Sequence, residues 1–149
     1  MKRKSILLLM GLAAVSMLLT ACAKPDAGKP DGMETSGGAY QKIDAAEAKR
    51  MIDAGGVTVV DVRRTDEYED GHVPGAINIP NEDIADQMPA ALPDAGATLI
   101  VYCRSGVRSK QASDKLVRMG YRRVYDMGGI LDWTYDTVTG VEPGANAAE

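Results

Sequence analysis

The chain has 149 residues, with 17 Lys and Arg against 21 Asp and Glu, a formal charge of −4. Three of the cations stand at positions 2 to 4; without them 14 cations face 21 anions and the charge is −7. An acidic chain with no basic patch excludes nucleic acid as a partner, and 45% hydrophobic residues exclude general disorder. Two Cys and one His cannot supply the four ligands of a structural zinc site or a disulfide framework, so no metal is expected. With no Phe and one Trp, the core has to be built from Val, Ile, Leu, Met, Ala and Tyr.

The N-terminus reads as an address. Lys2, Arg3 and Lys4 precede an apolar run of 14 residues, Ile6 to Leu19, too short for a comfortable bilayer span and suited to a signal-peptide core. Leu19-Thr20-Ala21-Cys22 resembles the processing box of bacterial lipoproteins. That resemblance implies cleavage after residue 21, lipidation of Cys22, and an anchor on the extracytoplasmic face of a bacterial membrane. Residues 22–39, rich in Pro, Gly, Lys and Asp, read as a flexible tether, residues 40–143 as the folded domain, and 144–149 as a disordered tail. With Cys22 lipidated, Cys103 is a lone thiol in an exported domain, which calls for a chemical explanation.

Strand and helix signals alternate through the domain. Tyr40 to Ile43 suits a short strand, and Asp44 an N-cap for a helix over Ala45 to Ala54 that Gly55-Gly56 ends. Val57 to Val62 is a β-branched run, the mark of a strand buried on both faces. Thr65 caps a short helix over Asp66 to Asp70. A loop from Gly71 to Gly75 leads to a brief strand, Ala76 to Ile79, stopped by Pro80. Asn81 to Leu92 is helical in composition, interrupted by Pro89. Thr98 to Tyr102 is a second buried strand, followed by Cys103, a short loop and a helix over Val107 to Met119. Arg123 to Tyr125 is a last strand, Met127-Gly128-Gly129 a tight turn, and Ile130 to Tyr135 a final short helix. This alternation predicts an α/β fold: a central, mostly parallel sheet of about five strands with helices on both faces. Ligands of such sheets bind beyond the C-terminal strand ends, where Cys103 sits.

The segment Cys103-Arg104-Ser105-Gly106-Val107-Arg108-Ser109 joins a strand to a helix through a tight loop. Helix-initial amides lack internal partners and, with loop amides, form an anion-binding nest. A sulfur at its mouth, with Arg104 and Arg108 adding positive charge, is held as a thiolate. Gly106 lets the backbone turn. A buried structural cysteine, the bland alternative, needs neither the arginines nor the glycine.

Four motifs in order carry a family resemblance: the loop Cys103 to Ser109, the upstream stretch Asp61 to Pro80, Gly120 to Gly129, and Trp133. Together they resemble the single-domain rhodaneses, over about Tyr40 to Pro143. The resemblance implies a sulfurtransferase. Cys103 would take a sulfane sulfur from a small donor, thiosulfate or a persulfide, and pass it as a persulfide to a thiol or cyanide acceptor. The backbone of Arg104, Ser105, Gly106, Val107 and Arg108 would cradle it, without metal or organic cofactor. Four residues separate Cys103 from Arg108, one fewer than in phosphatases of similar fold. At Ser105 the pattern departs from thiosulfate-using members, which carry a cation there.

Around the loop, Asp61 or Glu67 is expected to hold Arg108 in place, with Arg63 beside them, in supporting roles. The resemblance implies that His72 belongs to a turn packed beside the fold rather than acting as a base. Gly75, Gly128 and Gly129 read as backbone devices and Trp133 as packing. A rival reading is a rhodanese-like binding or redox-sensing module without turnover. The sequence names no protein partner and no oligomeric state.

Overall fold

The computed structural model describes residues 40–144. Residues 1–39, on which the expected signal peptide, lipidated Cys22 and tether fall, and residues 145–149 lie outside the described residues.

Five strands form one sheet, all pairs parallel, in the order β1-β5-β4-β2-β3. They are β1 (Gln41–Lys42), β2 (Val57–Asp61), β3 (Ala76–Asn78), β4 (Thr98–Cys103) and β5 (Arg123–Gly129). The β-branched strands β2 and β4 lie at the centre, where both faces are covered, which is why they read as continuous apolar runs. Period-two alternation then sorts their side chains. Val60, Leu99, Val101 and Cys103 join the layer containing Ala112 and Leu116 of α3 (Val107–Arg118). Val59, Ile100 and Tyr102 join the opposite layer, with Ala48 and Ile52 of α1 (Ala45–Ala54) and Tyr68 of α2 (Thr65–Asp70). The predicted helices on both faces are thus present.

Asp44 caps α1 as expected, its carboxylate accepting the Glu47 amide at 2.7 Å. At α2 the cap shifts by one: Thr65 opens the helix and Arg64 precedes it, because Glu67 reaches back to accept the Arg64 amide at 3.4 Å.

Three other expectations are corrected. Asn81 to Leu92 contains no helix. Pro89 interrupts any helical ladder there, between Pro80 and Pro93 on its flanks, and the segment is instead a strap held by two buried anchors, Ile84 and Leu92. Lys115 on α3 ties its start, donating to the Asn81 carbonyl at 2.6 Å. Met127-Gly128-Gly129 is not a turn but the end of β5. The ladder slips there: Val101 faces Asp126 while Tyr102 faces Gly128, leaving Met127 as the extra residue of a bulge. Finally, the helix expected over Ile130 to Tyr135 is one 3-10 turn, Ile130–Asp132.

Candidate active site

Cys103 is the last residue of β4, at the C-terminal edge of the sheet. Its neighbours there are β2, whose following residue Val62 donates its amide to the Tyr102 carbonyl at 2.9 Å, and β5, with Gly129 opposite the cysteine. Alternation turns the side chain to the α3 layer, so the helix that follows the loop begins beside the sulfur. Gly106 makes the turn in the left-handed region, at φ +98°. That conformation aims its amide at Cys103 Sγ, 3.1 Å away. No side chain caps α3, so the helix presents its free first-turn amides next to the cysteine. Cys103 itself is 1% exposed and stands at the floor of the site. Val107, at the start of α3, and Leu131 are 65% and 69% exposed. Leu131 sits beside the loop, its amide facing the Arg104 carbonyl at 3.4 Å.

The arginines and carboxylates sort themselves into two separate pairs. Arg108 donates to Glu67 twice, Nη1 to Oε2 at 2.7 Å and Nη2 to Oε1 at 3.0 Å. This fork-on-carboxylate geometry fixes direction as well as distance. The Arg108 hydrogen bonds hold the Glu67 carboxyl below the usual carboxylate range, and Glu67 in turn raises Arg108. Asp61, the other partner considered, holds Arg63 instead: Nε lies 2.9 Å and Nη2 2.6 Å from Oδ2, and Nη2 also meets the Gly71 carbonyl at 2.7 Å. Both members of this pair are buried. Burial works against the Arg63 charge, and Asp61 together with Tyr102 more than offsets it. Beside them Tyr102 is buried, its phenol pushed up by burial and then by the Asp61 charge, and its oxygen accepts the Val73 amide at 3.1 Å.

One consequence was hidden in the sequence. The Arg108 charge is balanced by Glu67. Arg104, by contrast, is exposed and in no ion pair among the described residues.

His72 is buried and away from any nucleophilic role. Its Nδ1 lies 2.9 Å from the Tyr68 carbonyl and its Nε2 3.1 Å from that of Glu142, and the ring stacks on Tyr68. Trp133 is buried as packing, donating to the Asp136 carbonyl at 3.0 Å. Sequence reasoning missed the wall behind the loop. Ser109 Oγ lies 3.1 Å from the Gly106 carbonyl and 3.2 Å from that of Gly128. At Gly129 a Cβ would stand 2.5 Å from the Arg104 carbonyl oxygen. The signal was the Asp126-Met127-Gly128-Gly129 stretch, whose glycines a turn explained equally well.

The cysteine loop thus stands at the C-terminal end of the central strand of a parallel five-stranded sheet. The chain belongs to the rhodanese-like domain family, whose model matches residues 44–136. Thiosulfate sulfurtransferase PspE of Escherichia coli is 41% identical over 81 residues, 54% of this chain and 78% of that protein. The tRNA uridine(34) hydroxylase of Erwinia tasmaniensis is 38% identical over 101 residues, 64% of this chain but 28% of the hydroxylase. Among solved structures, a rhodanese with anions from E. coli is 40% identical with a TM-score of 0.52, covering 56% of this chain and 98% of that one. A rhodanese-related protein from Thermoplasma volcanium is 30% identical with a TM-score of 0.59, covering 69% of this chain and 100% of that one.

Proposed function

We propose that the protein is a sulfurtransferase in which Cys103 carries the sulfur. The observation that supports this most directly is the Gly106 amide 3.1 Å from Sγ, at the open start of α3. Partial positive charge from the main chain faces the atom that would bear negative charge as a thiolate or persulfide. In the first step Cys103 attacks the outer sulfur of thiosulfate or of a persulfide. The donor S–S bond breaks, and sulfite or a thiolate leaves with the electron pair. In the second step a thiol or cyanide attacks the outer sulfur of the Cys103 persulfide, and the cysteine thiolate is released. Arg104 meets the anionic end of the donor. The identity to a thiosulfate sulfurtransferase supports the same reading.

The test is the intact mass of the full chain after incubation with thiosulfate and, separately, with glutathione persulfide. The expected result is a gain of one sulfur that is absent in Cys103→Ser. No adduct from any sulfane donor would overturn the reading and leave a binding or redox-sensing module.

The segment Lys2 to Cys22 supports attachment to the extracytoplasmic face of a bacterial membrane through lipid on Cys22. Metabolic labelling with a fatty acid should mark the wild-type chain and not Cys22→Ser; equal labelling of both would refute the anchor.

A further inference from the structure

Asp126 on β5 is a buried acidic side chain that the site described so far does not use. Its residue is fully buried. Along the strand, Val124 belongs to the α3 layer, while Tyr125 and Met127 belong to the α1 and α2 layer, so Asp126 faces α3. Its Oδ1 accepts the Gly128 amide at 2.9 Å. Its Oδ2 is buried without a hydrogen-bond partner, as is Ser113 Oγ on α3. A half-satisfied buried carboxylate works against folding, so stability alone does not account for it.

Among the described residues, the one hydrogen bond of its side chain is at the bulge. Gly128 is the residue that resumes pairing with β4 after the slip, and its φ of +86° is left-handed. The Asp126 carboxylate pins the amide of that residue. From there the position passes directly into the cysteine loop. Gly129 lies against the loop closely enough that a Cβ would stand 2.5 Å from the Arg104 oxygen and 2.9 Å from Ser105 Cα. The Gly128 carbonyl shares the Ser109 hydroxyl with the Gly106 carbonyl, at 3.2 and 3.1 Å.

We propose that Asp126 is a positioning residue: it fixes the bulge at Gly128, and the bulge sets where the backbone from Arg104 to Gly106 stands around Cys103. It touches neither sulfur nor substrate and acts through Gly128. The proposal rests on the sulfur-transfer reading for its turnover readout, whereas alkylation of Cys103 reports loop geometry without any sulfur chemistry.

The test compares Asp126→Asn and Asp126→Leu in the full chain. Asn keeps an oxygen for the Gly128 amide; Leu keeps similar volume and removes both oxygens, including the unpaired one. Three quantities are measured: kcat and KM for sulfur transfer, the rate of iodoacetamide modification of the Cys103 peptide, and the melting temperature. The Asn variant should stay within about threefold of wild type in both rates. The Leu variant should lose about tenfold or more in kcat with KM little changed, and show an altered alkylation rate, while melting no lower than wild type. Wild-type rates in Leu, or an Asn variant as slow as Leu, would overturn the proposal. Should Leu not fold, Asp126→Ala replaces it; failure of both to fold would show a structural role and also overturn it. A wild-type chain that takes no sulfur but whose Leu variant alkylates differently would defeat the proposed function and leave this inference standing. A wild type that loads sulfur beside an indistinguishable Leu variant would do the reverse.

Discussion

Arg108 at the start of α3 is joined to Glu67 on α2 by two hydrogen bonds, 2.7 and 3.0 Å long, across 41 residues of sequence. The pair ties the helix that follows the cysteine loop to the helix that follows β2. Its side chains are 25% and 19% exposed, so solvent screens part of its attraction. Glu67→Gln should therefore cost only about 1 kcal/mol in urea denaturation, yet slow sulfur loading of Cys103 by about tenfold, because the first turn of α3 loses its tether. Arg108→Lys, which cannot fork onto the carboxylate, should behave similarly. Unchanged loading rates in both variants would contradict the assignment.

The same pair sets a pH dependence. Glu67 titrates below its unfolded value of about 4.3 because Arg108 binds the charged form. Its stabilisation is therefore complete above that unfolded value and lost as the pH falls through the lower, folded one. The stability gap between wild type and Glu67→Gln should be level from about pH 8 to 5 and shrink below about pH 4. Urea denaturation across that range checks it; a gap that widens in acid would reverse the sign.

Asp61 and Arg63 are a different kind of pair, with side chains 0% and 7% exposed. Asp61→Ala leaves a buried guanidinium with the Gly71 carbonyl as its remaining hydrogen-bond acceptor. A loss of about 3–5 kcal/mol is expected, several times that of Glu67→Gln. Equal losses in the two variants would mean that burial is not what separates them.

Gly129 has φ −112°, a conformation open to any residue, so its need for glycine is purely steric. Gly129→Ala drives a methyl into the Arg104 carbonyl oxygen and Ser105 Cα. Sulfur loading should fall about 100-fold through displacement of the loop. Loading at the wild-type rate would show that the loop accommodates the methyl without consequence.

His72 serves the fold. Both ring nitrogens face main-chain carbonyls, and its backbone exchanges two hydrogen bonds with Val138, at 2.8 and 2.9 Å. His72→Ala should cost about 2 kcal/mol or more by removing a fully buried ring that stacks on Tyr68, while the folded fraction loads sulfur at the wild-type rate. A variant of normal stability that cannot load sulfur would make the histidine catalytic after all.

Much of this architecture was legible in local patterns. The β-branched runs ending at Val62 and Tyr102 marked the two central strands, because a strand covered on both faces must be apolar throughout. Asp44 and Gly55 marked the two ends of α1 through backbone chemistry confined to a single turn. Composition misled where local signals conflicted. Asn81 to Leu92 has helix-forming residues, yet Pro89 and the docking of Ile84 and Leu92 hold it irregular. At Gly128 and Gly129 a turn and a bulge call for the same residues, and only the pairing of Tyr102 with Gly128 separates them.

By itself the sequence determined that Cys103 closes a buried strand and that a glycine turn leads from it into a helix start. Those features depend on neighbours a few positions away. Which carboxylate holds which arginine was decided only by the strand order β1-β5-β4-β2-β3, which brings α2 alongside the start of α3 and leaves Arg104 free. So was the packing of Gly129 under the loop. Contacts between residues far apart in the chain follow from sheet order and register, and no short stretch of sequence encodes either.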